Sequence, residues 1–171
     1  FLQASREGEA ALISLVTAAA AGRRKIADLF SGCGTFALPL ARAATVFAVD
    51  SDRASIEALA AAAAGAQTSG RNFNPVRTEI RDLFEGALTA KELIGFDGVV
   101  LDPPRAGAEA QARQIAESGV KTVIGVSCNP ATFARDAALL RDGGYRLSRA
   151  TPIDQFLYSP HVELVGVFQK G

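Results

Sequence analysis

The chain has no methionine and no tryptophan, one histidine and two cysteines among its 171 residues. It also has no net charge, with 18 Lys and Arg against 18 Asp and Glu. Each shortage excludes something. Two isolated cysteines, Cys33 and Cys128, cannot fill a four-ligand zinc or iron–sulfur site, so no metal is expected. Both follow expected strands that are separated by one other, so they lie roughly 9–10 Å apart, beyond disulfide reach. A reduced, cytoplasmic setting is the simplest reading. The lone histidine, His161, is given no catalytic role. Zero net charge and scattered basic residues argue against a strong nucleic-acid grip by this segment alone, because phosphate contacts usually leave a basic excess. No apolar run is long enough to cross a bilayer, and no secretory signal is visible. Opening on FLQAS rather than on methionine, the chain reads as the C-terminal piece of a longer protein.

What is present is a core-former. The chain is 49% hydrophobic, enough for a single domain over 1–171. Helix-period and strand patterns alternate along it. A helix is expected over 5–21, with Glu7 and Glu9 in its first turn. KIADLF (25–30) reads as a strand, followed by a glycine turn and a helix over 35–43. TVFAVD (45–50) is the next strand, and 52–67 an alanine-rich helix. Further strands are expected over 76–80, 96–102 and 121–127, with helices over 83–93, 107–118 and 130–141. Two more strands close the chain without a full helix between them. The alternation implies an α/β, Rossmann-like fold: a mostly parallel seven-stranded sheet with helices on both faces and an antiparallel last strand.

The first turn carries a cofactor signal. DLFSGCGTFA (28–37) contains Gly32-x-Gly34-x-x-Ala37 between strand and helix, which fits a dinucleotide-type fingerprint. Asp50, ending the second strand, is placed to hold ribose hydroxyls. Either a nicotinamide cofactor or S-adenosylmethionine satisfies that pattern. Asp28 tips the balance, because an acid there can face the amino group of a methionine moiety. Asp82 follows the third strand, where a side chain can reach an adenine amino group or merely cap a helix.

Two later turns add chemistry. LDPPRAG (101–107) ends the fourth strand in a rigid turn without backbone donors at either proline, presenting Asp102 toward a substrate ring. GVSCNPATF (125–133) places Cys128 where a strand stops, before a proline that can open a helix. Open α/β sheets bind their ligands at that edge. The stretches FLQAS, DLFSGCGTFALPLA, LDPPRAG, SCNPATFARD and HVE, in this order and spacing, resemble the RNA uridine-5-methyltransferase family, in its catalytic domain. The resemblance implies a class I methyltransferase fold that forms 5-methyluridine in ribosomal or transfer RNA. It assigns S-adenosylmethionine contacts to Gln3, Phe30, Thr35, Asp50, Asp82 and Asp102, beside Asp28, Gly32 and Gly34 of the glycine loop. It makes Cys128 the nucleophile and Glu163 the base. Phe1, Pro103, Arg105 and Asn129 are expected on the substrate side. Two residues depart from the family pattern: Ser5 stands where the family has Asn, and Asp50 where glutamate is common.

The reaction accounts for those residue types. Carbon 5 of uracil is a weak nucleophile until a thiolate adds to carbon 6, and the carbon 5 proton must leave afterwards. One cysteine and one general base are therefore required. The helix opening near Pro130 is expected to lower the thiol pKa through its dipole. An antiparallel last strand would begin beside Cys128 and bring Glu163 there. Cys33 is assigned to packing. Three other readings stay open: an amino-directed base methyltransferase built on Asp-Pro-Pro, a cofactor-binding module without catalysis, and, more distantly, a nicotinamide enzyme.

Overall fold

The computed structural model describes residues 6–69, 72–154 and 162–171. Its elements in chain order are α1 (Arg6–Ala19), β1 (Lys25–Leu29), α2 (Ala37–Leu40), β2 (Thr45–Asp50), α3 (Arg53–Thr68), β3 (Val76–Ile80), β4 (Gly98–Leu101), α4 (Glu109–Glu117), β5 (Thr122–Ser127), α5 (Pro130–Asp142), β6 (Tyr145–Ile153) and β7 (Glu163–Lys170). The strands form one seven-stranded sheet in the order β3-β2-β1-β4-β5-β7-β6. Among them β7 alone runs against its neighbours, β5 on one side and β6 on the other. The sheet is therefore the mostly parallel one expected from the sequence.

The central strands are apolar without alternation. Every residue of β4 and of β5 is buried, as a parallel strand covered on both faces must be. One face packs against Leu12 and Val16 of α1, Leu40 of α2 and Leu59 of α3. The other packs against Ile115 of α4, Leu140 of α5 and the loop residues Leu83, Leu88 and Leu93. Side chains cap two of the helices. Asp52 accepts the Ser55 N–H at 3.1 Å to open α3, and Asn129 accepts the Ala131 N–H at 3.1 Å to open α5, each satisfying a donor with no partner inside the helix.

The seating of α5 depends on two glycines. Gly125 and Gly166 face each other across the β5–β7 ladder, and the Phe133 ring of α5 lies over both. A Cβ at Gly166 would run into that ring. Phe133 also meets Phe168 with ring centroids 5.9 Å apart. The bare patch of sheet thus lets α5 lie close to β5, the strand that Cys128 follows.

Two expected helices differ. The helix expected over 35–43 is regular only over Ala37–Leu40, because Pro39 has no N–H to donate back along the chain. Asn74 then draws the chain off, donating its backbone and side-chain N–H groups to the Ala41 carbonyl at 2.7 and 3.0 Å. The helix expected over 83–93 does not form; the segment is a pair of turns. Side chains of α4 take over its backbone groups. Gln111, 1% exposed, accepts the Leu88 N–H and donates to the Leu88 carbonyl, each at 2.9 Å. Gln114 accepts the Ala90 N–H at 2.9 Å. Among the described residues no helix is long and apolar enough to cross a membrane.

Gln111→Ala therefore strips two buried backbone groups of their partners. It should destabilise the fold by about 2–4 kcal/mol, seen as a lower urea midpoint, whereas Gln114→Ala, at a partly exposed position, should cost less.

Candidate functional site

The carboxyl ends of β1 to β5 and the start of β7 surround one cavity of about 270 Å³. Phe30, Gly32, Cys33 and Thr35 enter its wall from the turn after β1. Asp50 enters as the last residue of β2, Asp82 and Phe84 after β3, and Asp102, Pro103 and Arg105 after β4. Cys128, after β5, and Glu163, the first residue of β7, complete it. Most of the residues singled out from the sequence are thus gathered at one sheet edge. Phe1, Gln3, Ser5 and His161 lie outside the described residues.

The glycine turn is shaped by backbone that favours glycine. Gly32 has φ 51° and Gly34 φ 98°. Gly34 is not at the cavity wall; a Cβ there would strike the Leu59 side chain, so its bareness lets α3 pack against the turn. Phe30, at φ 62°, is the one described non-glycine residue with positive φ. The Asp50 carboxylate accepts the Gly32 N–H and the Asp52 N–H, both at 2.9 Å. It is locked in place with lone pairs still free for hydroxyl donors. Asp82 accepts the Phe84 N–H at 2.8 Å, and the resulting turn holds Phe84 half-exposed at the wall. The rings of Phe84 and Phe30 meet at 5.4 Å and 54°, an apolar shelf beside the Asp82 carboxylate. Sequence reasoning missed Phe84; an aromatic two residues after a turn-forming Asp was the available signal.

Cys128 and Glu163 are brought together by register. Ser127 pairs with Leu164 across β5 and β7, so one antiparallel step further sets Cys128 opposite Glu163. Both line the cavity, and Glu163 is 2% exposed. The thiol pKa is raised rather than lowered: burial and the Glu163 charge push it up, Asp102 adds to this, and Arg105 opposes it. The expectation of a thiol lowered by the helix dipole is therefore corrected. The Ala131 N–H at the start of α5 is already taken up by the Asn129 cap, and burial and the Glu163 charge outweigh what remains.

The same carboxylates act on one another. Burial, with Glu163 and Asp50, raises the Asp102 pKa to about 7. Asp28 is fully buried beneath the glycine turn, and neither of its oxygens has a hydrogen-bond partner. Burial, with Asp102 and Asp50, pushes its pKa well up. Asp28 does not reach the cavity wall as the sequence reading expected; it lies one layer below. Of the two cations at the wall, Arg81 is paired with Glu79 at 2.6 Å and Glu92 at 2.9 Å. The cavity is thus a negative one, suited to a cationic ligand.

Two further expectations change. Asn129 is not at the wall: its carbonyl oxygen caps α5, and its amide donates to the Arg105 carbonyl at 3.0 Å. Cys33 is exposed at the cavity wall rather than packed. Among the described residues no group of three or more His, Cys, Asp and Glu side chains is placed to hold a metal ion.

The family model described as tRNA (uracil-5-)-methyltransferase matches residues 3–170. An uncharacterised RNA methyltransferase of Agrobacterium fabrum is 50% identical over 170 residues, covering 99% of this chain and 40% of that protein. The 23S rRNA (uracil(1939)-C(5))-methyltransferase RlmD of Chromohalobacter salexigens is 39% identical over 95% of this chain and 33% of its own length. The crystal structure of Pyrococcus abyssi tRNA (uracil-54, C5)-methyltransferase with S-adenosyl-L-homocysteine superposes with a TM-score of 0.80. It is 33% identical and matches 98% of this chain but 40% of that one. The fold is the class I methyltransferase fold, and the chain spans at most about 40% of the length of the curated relatives it matches.

The raised carboxyl pKa values fix a sign for stability. Between about pH 4 and 7 the folded state keeps a proton on Asp102 that the unfolded chain has lost, and Asp28, also raised, acts in the same direction. Stability contributed by these two groups therefore falls as pH rises through that window. With no ligand present, urea midpoints should be higher at pH 5.5 than at pH 8, and Asp102→Asn should narrow the gap by raising the pH 8 value.

Proposed function

Because the chain belongs to the tRNA (uracil-5-)-methyltransferase family, we propose that it is the catalytic domain of an S-adenosylmethionine-dependent RNA methyltransferase acting on carbon 5 of a uridine. One observation carries the chemistry: Cys128 stands opposite Glu163 across the β5–β7 ladder, on the wall of a single acid-lined cavity. The RNA is ribosomal or transfer RNA, and its recognition is shared with parts of the protein outside this segment.

The residues present suit the methyl donor. Asp50, held by two backbone donors, accepts from the ribose hydroxyls. Asp82 accepts from the adenine amino group while Phe30 and Phe84 offer an apolar face. Asp102 and the buried Asp28 favour the positive ammonium and sulfonium. When bound, the cofactor supplies an electrophilic methyl group. Burial and the nearby carboxylates push the thiol up; a cation in the cavity opposes them, so Cys128 ionises more readily when the cavity is filled.

The uridine must leave its stack to reach this edge. The Cys128 thiolate adds to carbon 6, and the ring electrons move onto the carbon 4 oxygen as an enolate. Arg105 lends positive charge to this region. Carbon 5 takes the methyl group as the enolate collapses. Glu163 then removes the carbon 5 proton, and the carbon–sulfur bond breaks to release the thiolate and 5-methyluridine.

In the full-length protein, Cys128→Ala should abolish both methylation and any covalent RNA adduct. Glu163→Gln should still add and methylate but fail to remove the proton, accumulating a covalent, methylated RNA complex as a slow band on a denaturing gel. Normal turnover by Glu163→Gln would remove Glu163 as the base. Methylation surviving in Cys128→Ala would favour instead an amino-directed reaction at Asp102-Pro103-Pro104, which needs no thiol.

A further inference from the structure

The segment that follows β3 is a loop tied at its two ends, and one end of the tie lies outside the cavity. Arg81, one residue before Asp82, is joined to Glu92 at 2.9 Å. One oxygen of Glu92 makes that contact. The other accepts the Thr89 N–H at 2.9 Å and the Thr89 hydroxyl at 2.8 Å. Thr89 Oγ1 accepts the Glu92 N–H in return, at 3.2 Å. This is a reciprocal capping box, which fixes the Glu92 side chain on its own turn. From β3, Glu79 takes the Nε–H of the same guanidinium at 2.6 Å. The planar fork of Arg81 thus joins the strand to the far end of the loop.

Between the tied ends lie Asp82 and Phe84, both on the cavity wall. The limb that carries them leaves β3 beside the ribose acid, where the Arg81 N–H donates to the Asp50 carbonyl at 2.9 Å. Further along, the loop is pinned to α4 through Leu88 and Ala90. Arg81 is on the wall, whereas Glu79 and Glu92 are not. With 27% of the Arg81 side chain and 41% of that of Glu92 exposed, an ion pair of this kind adds little to stability. What it fixes is where the limb lies.

We propose that Glu92 is a positioning residue: through Arg81 it sets the Asp82–Phe84 limb against the cavity, and so determines how strongly the site prefers adenine over a purine without the amino group. The inference rests on the reading of the cavity as a methyl-donor site with Asp82 at the adenine. A carboxylate held in place gains from the amino group and is left unpaired without it, which is what makes a polar site selective. A limb released from Glu92 can swing its carboxylate back to water when the amino group is missing, and it grips the amino group less well when it is present.

The test uses the full-length protein without RNA for binding. Calorimetry gives the Kd for S-adenosylhomocysteine and for its analogue with purine in place of adenine, and turnover on RNA gives kcat and the KM for S-adenosylmethionine. The parent should bind the adenine compound about tenfold or more tightly than the purine one. Glu92→Ala should cut that ratio about threefold or more, chiefly by weakening S-adenosylhomocysteine. It should raise KM and leave kcat as it was, because the adenine lies away from the reacting atoms. Loss of the Glu92 charge acts alike on two ligands of equal charge, so it does not move the ratio. Glu92→Gln keeps an acceptor for Thr89 but loses the ion pair; it should show a smaller fall in the same direction, and it is decisive if Glu92→Ala does not fold. In an Asp82→Ala background, Glu92→Ala should change the ratio no further. A folded Glu92→Ala with the parent ratio, an equal weakening of both ligands, or an unmoved ratio in Glu92→Gln overturns the proposal. Failure of the underlying reading looks different, and the proposal falls with it: the parent itself shows no preference for adenine, or Asp82→Ala retains that preference.

Discussion

The antiparallel course of β7 is the constraint on which the site depends. Every other strand of the sheet ends at the ligand edge, so each can deliver only the residue that follows it. β7 begins there, and pairing Ser127 with Leu164 brings its first side chain opposite the residue after β5. A parallel seventh strand would put Glu163 at the far edge, a full strand length from Cys128. The Gly125–Gly166 pair strengthens the arrangement, because the uncluttered sheet admits Phe133 and seats α5 directly behind the thiol.

That convergence works against stability. Burial, Asp102 and Asp50 push the Asp28 carboxyl up, and burial, Glu163 and Asp50 push up that of Asp102, because burial removes the water that would screen these charges. An unpartnered buried carboxylate such as Asp28 persists only where something else gains from it. Here the gain is a cavity whose wall gathers four carboxylates and suits a cationic ligand. Arg81, the other cation at the wall, is spent on Glu79 and Glu92. Burial, with Glu163 and Asp102 from the same group, also pushes the Cys128 thiol up, so nucleophile and ligand site are electrically one system.

Much of this was legible in the sequence because the signals are local. Apolar runs marked β4 and β5, the Gly32–Gly34 spacing marked the turn, and Cys128 before Asn-Pro marked a strand end. Glu163 was reached by combining a family resemblance with the expected direction of the last strand. What was misread depends on partners distant in the chain. The 83–93 segment has helical composition, yet Gln111 and Gln114 on α4 take its backbone groups. Asn129 looks like a substrate contact until the Arg105 carbonyl appears beside its amide. The direction of the thiol shift follows from burial, with Glu163 and Asp102 brought close by the sheet rather than by the chain. Phe84 gained its place only when its ring met Phe30.

The most direct measurement offers the full-length protein RNA in which uridine is replaced by 5-fluorouridine, with S-adenosylmethionine present. Fluorine at carbon 5 cannot leave as a cation, so the reaction stalls after methyl transfer with the thiol still bound to carbon 6. Peptide mass spectrometry should then find a methylated fluorouridine adduct on Cys128 and none on Cys33. Methylation of ordinary RNA by the same preparation, with no adduct on Cys128 from the fluorinated RNA, would contradict the account.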